Sequence, residues 1–168
     1  MNLGDLNATD RAGFVDAIGA IFEHSPWIAE RAWDRRPFPN TEALMAAMLA
    51  VVQAATDEEK TGLVRAHPDL AGKAARAGNL TEHSTAEQAG AGLDRLSDDE
   101  FDRFHRLNDA YKSKFGFPFV IAVRGHTKET ILDAFDTRLE NDQTAELNEA
   151  LRNIGMIANF RLEDLLAR

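Results

Sequence analysis

Apolar residues recur along most of this chain at spacings of three and four, which is the period of an amphipathic α-helix. One such stripe joins five residues over about four turns, namely Phe101, Phe104, Leu107, Tyr111 and Phe115. An earlier run, preceded by Asn7 and Thr9, places Phe14, Val15, Ile18 and Phe22 on one face. This periodicity predicts helices packed through one apolar side.

Polar residues that cap helices stand in front of many of these runs. Capping boxes, in which Ser or Thr precedes Glu by three residues, occur at Thr56–Glu59, Ser84–Glu87 and Ser97–Glu100. Ser25 with Pro26 predicts the start of a short helix, and Asn40 or Thr41 precedes a helix over 42–54. Further helices are expected over 70–77, with Gly78 as the stop, over about 128–139, and from about 144 almost to the C-terminus. The pattern predicts an all-α fold of about eight helices with short loops, forming a single compact domain over residues 1–168.

One segment departs from the helical pattern. Residues 117–123 read Phe-Pro-Phe-Val-Ile-Ala-Val, an aromatic and β-branched run that by itself is typical of a buried strand. A lone strand has no partner in this chain. We therefore expect an extended buried segment or an irregular helix start.

Composition narrows the class of protein. The chain has 168 residues, of which 44% are hydrophobic and 28% are charged, and these proportions are ordinary for one globular domain. Cysteine is absent, which excludes disulfides, thiolate metal sites and cysteine nucleophiles. A net charge of −9 argues against a nucleic-acid partner. The polar, acidic start and the shortness of the longest apolar stretch (43–55) predict a soluble, cytoplasmic protein without a signal peptide or membrane span.

The common sequence signatures of metal and nucleotide sites are missing. The histidines are His24, His67, His83, His105 and His126, and no two of them have the spacing of paired metal ligands. No glycine-rich phosphate loop and no Gly-x-Ser-x-Gly elbow occurs. We therefore expect no bound metal and no organic cofactor.

The last predicted helix contains an arginine within an apolar seam. The seam comprises Leu147, Leu151, Ile154, Ala158, Arg161 and Leu165. A buried guanidinium must meet an anion or reach water, because burying it alone would cost several kcal/mol, of the order expected for an unpaired charge. Arg161 is then either half of a structural ion pair or the holder of an anionic ligand.

Two other places offer chemistry, each with a plain structural alternative. At the start of a helix, Ser84, Glu87 and Gln88 could meet a polar ligand together, although a capping box alone explains Ser84 and Glu87. His67 precedes Pro68, which disfavours helical dihedrals and places the histidine at a junction between helices. Its imidazole suits acid–base catalysis near neutral pH, but a histidine in such a place is commonly a structural hydrogen-bonding group.

Four stretches, in order along nearly the whole chain, resemble the family of 2-oxo-4-hydroxy-4-carboxy-5-ureidoimidazoline (OHCU) decarboxylases of uric acid degradation. They are His67-Pro-Asp-Leu-Ala-Gly-Lys73, Ser84-Thr-Ala-Glu-Gln88 with Ala91-Gly-Leu93, Lys114-Phe-Gly-Phe-Pro-Phe-Val-Ile-Ala-Val-Arg-Gly125, and Glu149-Ala-Leu with Ile157-Ala-Asn-Phe-Arg-Leu162.

The resemblance implies a dimeric, all-helical enzyme that forms (S)-allantoin by decarboxylation without a cofactor. It assigns catalysis to His67, which we expect Glu87 to assist. The implied substrate-binding residues are Pro68, Ser84, Thr85, Ala86, Glu87, Gln88, Phe119, Val120, Ile121, Ala122, Val123 and Arg161. The alternatives are a non-catalytic helical module that binds a ligand or a protein, and a decarboxylase for a related ureide.

Overall fold

The computed structural model describes residues 1–167, apart from the side chains of Lys73 and Ala74. Within that range the chain forms helices and no strands, which confirms the predicted all-α class. The α-helices are α1 (Leu3–Ala8), α2 (Arg11–Ile18), α3 (Trp27–Ala32), α4 (Thr41–Ala54), α5 (Asp57–Arg65), α6 (Lys73–Arg76), α7 (Glu82–Gly90), α8 (Asp98–Phe115), α9 (Lys128–Leu139) and α10 (Gln143–Leu166), with a 3₁₀ turn at Trp33–Arg35. No helix of the described part is both long and apolar enough to cross a membrane.

The chain comprises two compact units. Unit 1 consists of Met1–Ala66 and the residues from Gly155 onward, and unit 2 consists of His67–Ile154. In unit 1, α3 packs on α4, and the core contains Phe14, Ile28, Leu44, Met48 and Leu63, all almost fully buried. Burial of this apolar face is the main force that holds the short helices together, since helices of six to nine residues are marginal alone.

In unit 2, the buried side of α8 meets an aromatic cluster. Tyr111 lies edge-on to Phe119, with ring centroids 5.3 Å apart, and Phe119 stacks on Phe135 at 3.7 Å. Helix α8 stops at Gly116, which adopts a left-handed conformation with φ of +77°. The chain then enters the buried segment 117–123, which has no helical or strand pairing, as the sequence predicted.

Several predicted helix starts are confirmed and four are wrong. The boxes at Thr56 and Ser97 and the cap at Asn40 are present. Asp10, rather than Asn7 or Thr9, caps α2, because α1 already occupies residues 3–8. Ser25 does not cap α3; its hydroxyl donates to the Glu23 carbonyl at 2.8 Å instead. The other two wrong starts, those of α6 and α7, bear on the candidate site.

Candidate active site

His67 lies in a loop between α5 and α6, as its neighbour Pro68 predicted. Helix α5 ends at Arg65 with Ala66 as its C-cap, and α6 begins only at Lys73, three residues later than expected. The His67 side chain is buried, with 8% of the residue exposed. In this loop Ala71 has φ of +50°, an uncommon conformation for a residue with a side chain. Such a backbone persists only when its surroundings hold it in place.

Three side chains from other helices hold this loop, mostly through its main chain. Gln88 of α7 accepts from the Ala71 N–H at 2.9 Å and donates to the Asp69 carbonyl at 3.4 Å. Asn108 of α8 donates to the Leu70 carbonyl at 2.9 Å, and Lys112, one turn later, binds the Asp69 carboxylate at 2.7 Å. The loop that carries His67 is therefore fixed by contacts on both sides of Leu70.

Helix α7 begins earlier than the sequence predicted, and this corrects the interpretation of Ser84. Thr81 is the N-cap, and its hydroxyl accepts from the Ser84 N–H at 3.2 Å. Ser84 is therefore inside the first turn rather than at the cap, and the predicted Ser84–Glu87 capping box is wrong. The helix ends at Gly90, because Gly92 turns the chain with φ of +78° and the Leu93 N–H bonds back to the Gln88 carbonyl.

The corrected start changes how the residues of α7 can act. Ser84, Glu87 and Gln88 have the i, i+3, i+4 spacing of one helix face. Ser84 and Gln88 are buried, Glu87 is partly exposed, and Thr85 and Ala86 are exposed. The contacts of Gln88 bring this face against the His67 loop. A ligand would thus meet side chains of the α7 face, and not the free N–H groups of a helix end.

The segment 119–123 is buried and has no strand partner for its main chain. Side chains of two helices bind its main-chain groups instead. Arg138 of α9 donates to the Val120 carbonyl at 2.6 Å, and Asn153 of α10 accepts from the Ala122 N–H at 3.1 Å. Neither residue is among the predicted site residues. A buried chain without ladder hydrogen bonds needs such partners.

Arg138 belongs to a buried cluster of polar side chains. Its guanidinium binds Glu146 through Nε at 2.6 Å and Nη2 at 2.5 Å, and the Tyr111 hydroxyl donates to the same carboxylate oxygen at 2.5 Å. Asn141 donates to the other Glu146 oxygen at 3.0 Å. Burial, together with the hydrogen bond to Glu146, raises the pKa of the Tyr111 hydroxyl far above its ordinary range. Tyr111 therefore stays protonated and acts as a hydrogen-bond donor.

Arg161, the predicted arginine in an apolar seam, meets a carboxylate within unit 1. Its Nη1 lies 2.8 Å from Glu23 Oε2, and the two side chains are only 3% and 2% exposed. The same nitrogen donates to the Ile21 carbonyl at 3.3 Å. The expectation that this guanidinium would meet an anion is confirmed, and Glu23, in the turn between α2 and α3, is its partner. That Arg161 also binds a ligand stays a prediction.

Unit 2 also contains a cavity of about 270 Å³ beside α7. Ala71, Ala75, Leu93, Leu96 and Phe101 supply much of its apolar wall, and Thr85 and Gln88 reach it from α7. No three metal-binding side chains gather anywhere in the described residues.

The sequence and the fold were compared with those of known proteins. The family model described as OHCU decarboxylase matches residues 7–163. The chain belongs to the OHCU decarboxylase family. It is 41% identical to the 2-oxo-4-hydroxy-4-carboxy-5-ureidoimidazoline decarboxylase of Halalkalicoccus jeotgali over 98% of this chain and 92% of that protein. It is 39% identical to the protein of the same name from Mus musculus, over 99% and 93%.

Solved structures of this family share the fold. A crystal structure of (S)-allantoin synthase superposes with a TM-score of 0.80 at 31% identity, covering 99% of this chain and 54% of that one. A crystal structure of OHCU decarboxylase in the presence of (S)-allantoin has a TM-score of 0.70 at 21% identity and covers 95% of this chain. The family resemblance expected from the four sequence stretches is therefore confirmed.

Proposed function

We propose that this protein converts 2-oxo-4-hydroxy-4-carboxy-5-ureidoimidazoline to (S)-allantoin by decarboxylation, as a step of urate breakdown. The observation that carries the proposal is membership of the OHCU decarboxylase family across residues 7–163. Relatives that carry this enzyme's name span nearly the full length of the chain. The structure adds a buried histidine on a loop whose backbone is fixed by side chains of α7 and α8.

The reaction itself sets what the protein must supply. When the bond to the carboxyl carbon breaks, carbon dioxide leaves and the electron pair forms a double bond toward the ureido-bearing ring carbon. The adjacent C=N π electrons move to nitrogen, which takes a proton. The resulting enol then loses its hydroxyl proton and gains a proton on the ureido-bearing carbon, giving allantoin. Because the substrate holds its own electron sink, we propose that catalysis needs neither a metal nor an organic cofactor.

His67 is the residue that we propose moves the proton. Delivery to one face of the enol sets the configuration of the product, and this requires an acid held in a fixed position. A buried imidazole on a well-held loop meets that requirement. Glu87, on the α7 face, would orient His67 or the substrate hydroxyl.

The remaining predicted residues would bind the polar ring. Arg161 offers a planar guanidinium to the substrate carboxylate. Pro68 and the 119–123 segment offer main-chain groups to the ureide, and Ser84, Thr85, Ala86 and Gln88 complete the predicted set.

We further propose that the protein acts as a homodimer, as the family resemblance implies, and light scattering of the purified chain tests this.

The decisive test follows product chirality. The unstable substrate is generated from urate by the two preceding enzyme activities, and optical rotation is recorded with and without this protein. We expect an excess of (S)-allantoin with the protein, against a racemate from spontaneous decay. Absence of that excess contradicts the proposed function.

A matched pair of variants tests His67. We expect His67→Asn to lower turnover by roughly 10²- to 10⁴-fold, the usual contribution of general acid–base catalysis. His105→Asn is the control, since His105 is a partly exposed residue of α8 paired with Asp109. Near-normal turnover by folded His67→Asn removes His67 from the catalytic role.

A further inference from the structure

We propose that Arg138 is a positioning residue for catalysis, which sets the conformation of the 119–123 segment through the Val120 carbonyl. The inference rests on the proposed function, because it assumes that this segment receives the substrate. Arg138 touches no reacting atom in this proposal; it acts through the main chain that it holds.

The first argument is the placement of the hydrogen bonds along the segment. The Val120 carbonyl accepts a hydrogen bond from Arg138 of α9, and the Ala122 N–H donates one to Asn153 of α10. The two bound residues are thus separated by one residue. Ile121 lies between these two anchored peptide groups, so its own main-chain groups are the ones that we expect to meet a ligand.

The second argument is that Arg138 is itself fixed on several sides. Glu146 binds two of its nitrogens, and Tyr111 Oη lies 3.5 Å from Nη2. The guanidinium also lies over the Phe119 ring at 4.3 Å, so it holds both the side chain of one segment residue and the carbonyl of the next. A planar fork with several donors can make these contacts together, whereas a lysine ammonium cannot.

The third argument is that buried ion pairs in general are not needed for the stability of a fold. Buried ion pairs can often be replaced by apolar residues of similar volume without loss of stability, because desolvation offsets their attraction. The hold on the Val120 carbonyl is what an apolar replacement would not reproduce. This separates a positioning role from a purely structural one.

The experiment compares Arg138→Lys with a triple apolar variant, Arg138→Met/Glu146→Leu/Tyr111→Phe, which removes three of the four polar side chains of the cluster and leaves Asn141. For both folded variants we expect kcat/KM to fall roughly ten- to hundredfold, the scale of a small misplacement in a site, mostly through a higher KM. The pH midpoint of kcat should not move, since Arg138 transfers no proton. Amide hydrogen exchange over 118–123 should become faster, with little change in α8. The control is Arg11→Lys, which alters an exposed arginine that also pairs with a carboxylate and lies over a ring.

The outcomes separate this inference from the proposed function. An inactive wild-type protein contradicts the proposed function, while exchange over 118–123 in the variants still decides whether Arg138 holds the segment. Variants with a lower melting temperature but unchanged KM and unchanged exchange in the folded fraction overturn the positioning role. Failure of both variants to fold also overturns it, because the cluster would then be a requirement of the fold.

Discussion

Two buried arginine–glutamate pairs, one in each unit, use similar chemistry in different settings. Arg161 of α10 meets Glu23 in the turn between α2 and α3, and the arginine lies within an apolar seam. Arg138 of α9 meets Glu146, eight residues later in the chain, and shares it with Tyr111. Both pairs are more than nine-tenths buried. The Arg138 pair reaches a main-chain carbonyl of the predicted binding segment, and the family resemblance assigns Arg161 itself to the ligand.

The difference shows that a buried arginine can serve a site directly or through the backbone. Arg161 is proposed to present its guanidinium to the substrate, so its effect should appear as ligand affinity. Arg138 is proposed to act one step away, so its effect should appear in the geometry of 119–123. Variants that separate stability from binding can test this distinction.

Breaking the Arg138 pair should produce the largest loss of stability. In Arg138→Met the Glu146 carboxylate stays buried without its guanidinium, and Tyr111 and Asn141 are left as its donors. We expect the free energy of unfolding to fall by about 3–5 kcal/mol, as for other broken buried pairs. Urea denaturation followed by circular dichroism measures it, with Arg11→Met as the exposed control. A loss below about 1 kcal/mol, the range of surface pairs, would show that the cluster is effectively solvated.

Changing Arg161 should produce the next largest effect, and mainly on binding. Arg161→Lys keeps a cation beside Glu23 but loses the planar fork that a carboxylate accepts. We expect affinity for (S)-allantoin or substrate to fall about tenfold, or ~1.4 kcal/mol. Calorimetric titration measures it, with thermal unfolding recorded in parallel. Unchanged affinity together with a lower melting temperature would assign Arg161 to a structural ion pair alone, the alternative that the sequence left open.

Both arginines carry the same signal in the sequence, because each lies within a seam of apolar residues. Arg161 stands out because it interrupts a seam of apolar residues in α10. Arg138 continues the spacing of Ile131 and Phe135, both fully buried in α9, so the same pattern could have predicted its burial. Glu23 carries no such signal, because it lies in a turn where no periodicity predicts burial.

The fold class and most helix boundaries follow from local rules, whereas the site depends on contacts between distant residues. Caps such as Thr56 and Ser97 act within one turn and are visible in the sequence. The start of α7 is hard to predict because both Thr81 and Ser84 could cap a helix. The structure uses Thr81 as the N-cap. The hold of Gln88 on Ala71 spans 17 residues, and no local pattern predicts it.

An exposed ion pair should contribute much less to stability than the two buried pairs. Arg152 binds Glu149 one turn away on α10 at 2.6 Å, with the arginine side chain 62% exposed. We expect Arg152→Met to lower the free energy of unfolding by only about 0.2–1 kcal/mol, because water and salt screen the attraction. The difference from wild type should shrink further in 1 M salt, where the screening length is about 3 Å. A loss as large as that of Arg138→Met would remove burial as the explanation of the contrast.

Acidification should have the smallest effect on stability. The direction of that effect follows from the lowered pKa of Glu100. The Lys128 ammonium and the Ser97 N–H hold the pKa of Glu100 below its ordinary value of 4.5. Since the unfolded chain then binds this proton more readily, the contribution is present above pH 4.5 and is lost as the pH falls through the lower, folded pKa. Glu100→Gln should therefore melt slightly below wild type at neutral pH, and the gap should close in acid. A gap that stays constant from pH 7 to pH 3, roughly the span over which a carboxylate titrates, would show that the charge of Glu100 contributes nothing. Only desolvated pairs would then matter in this protein.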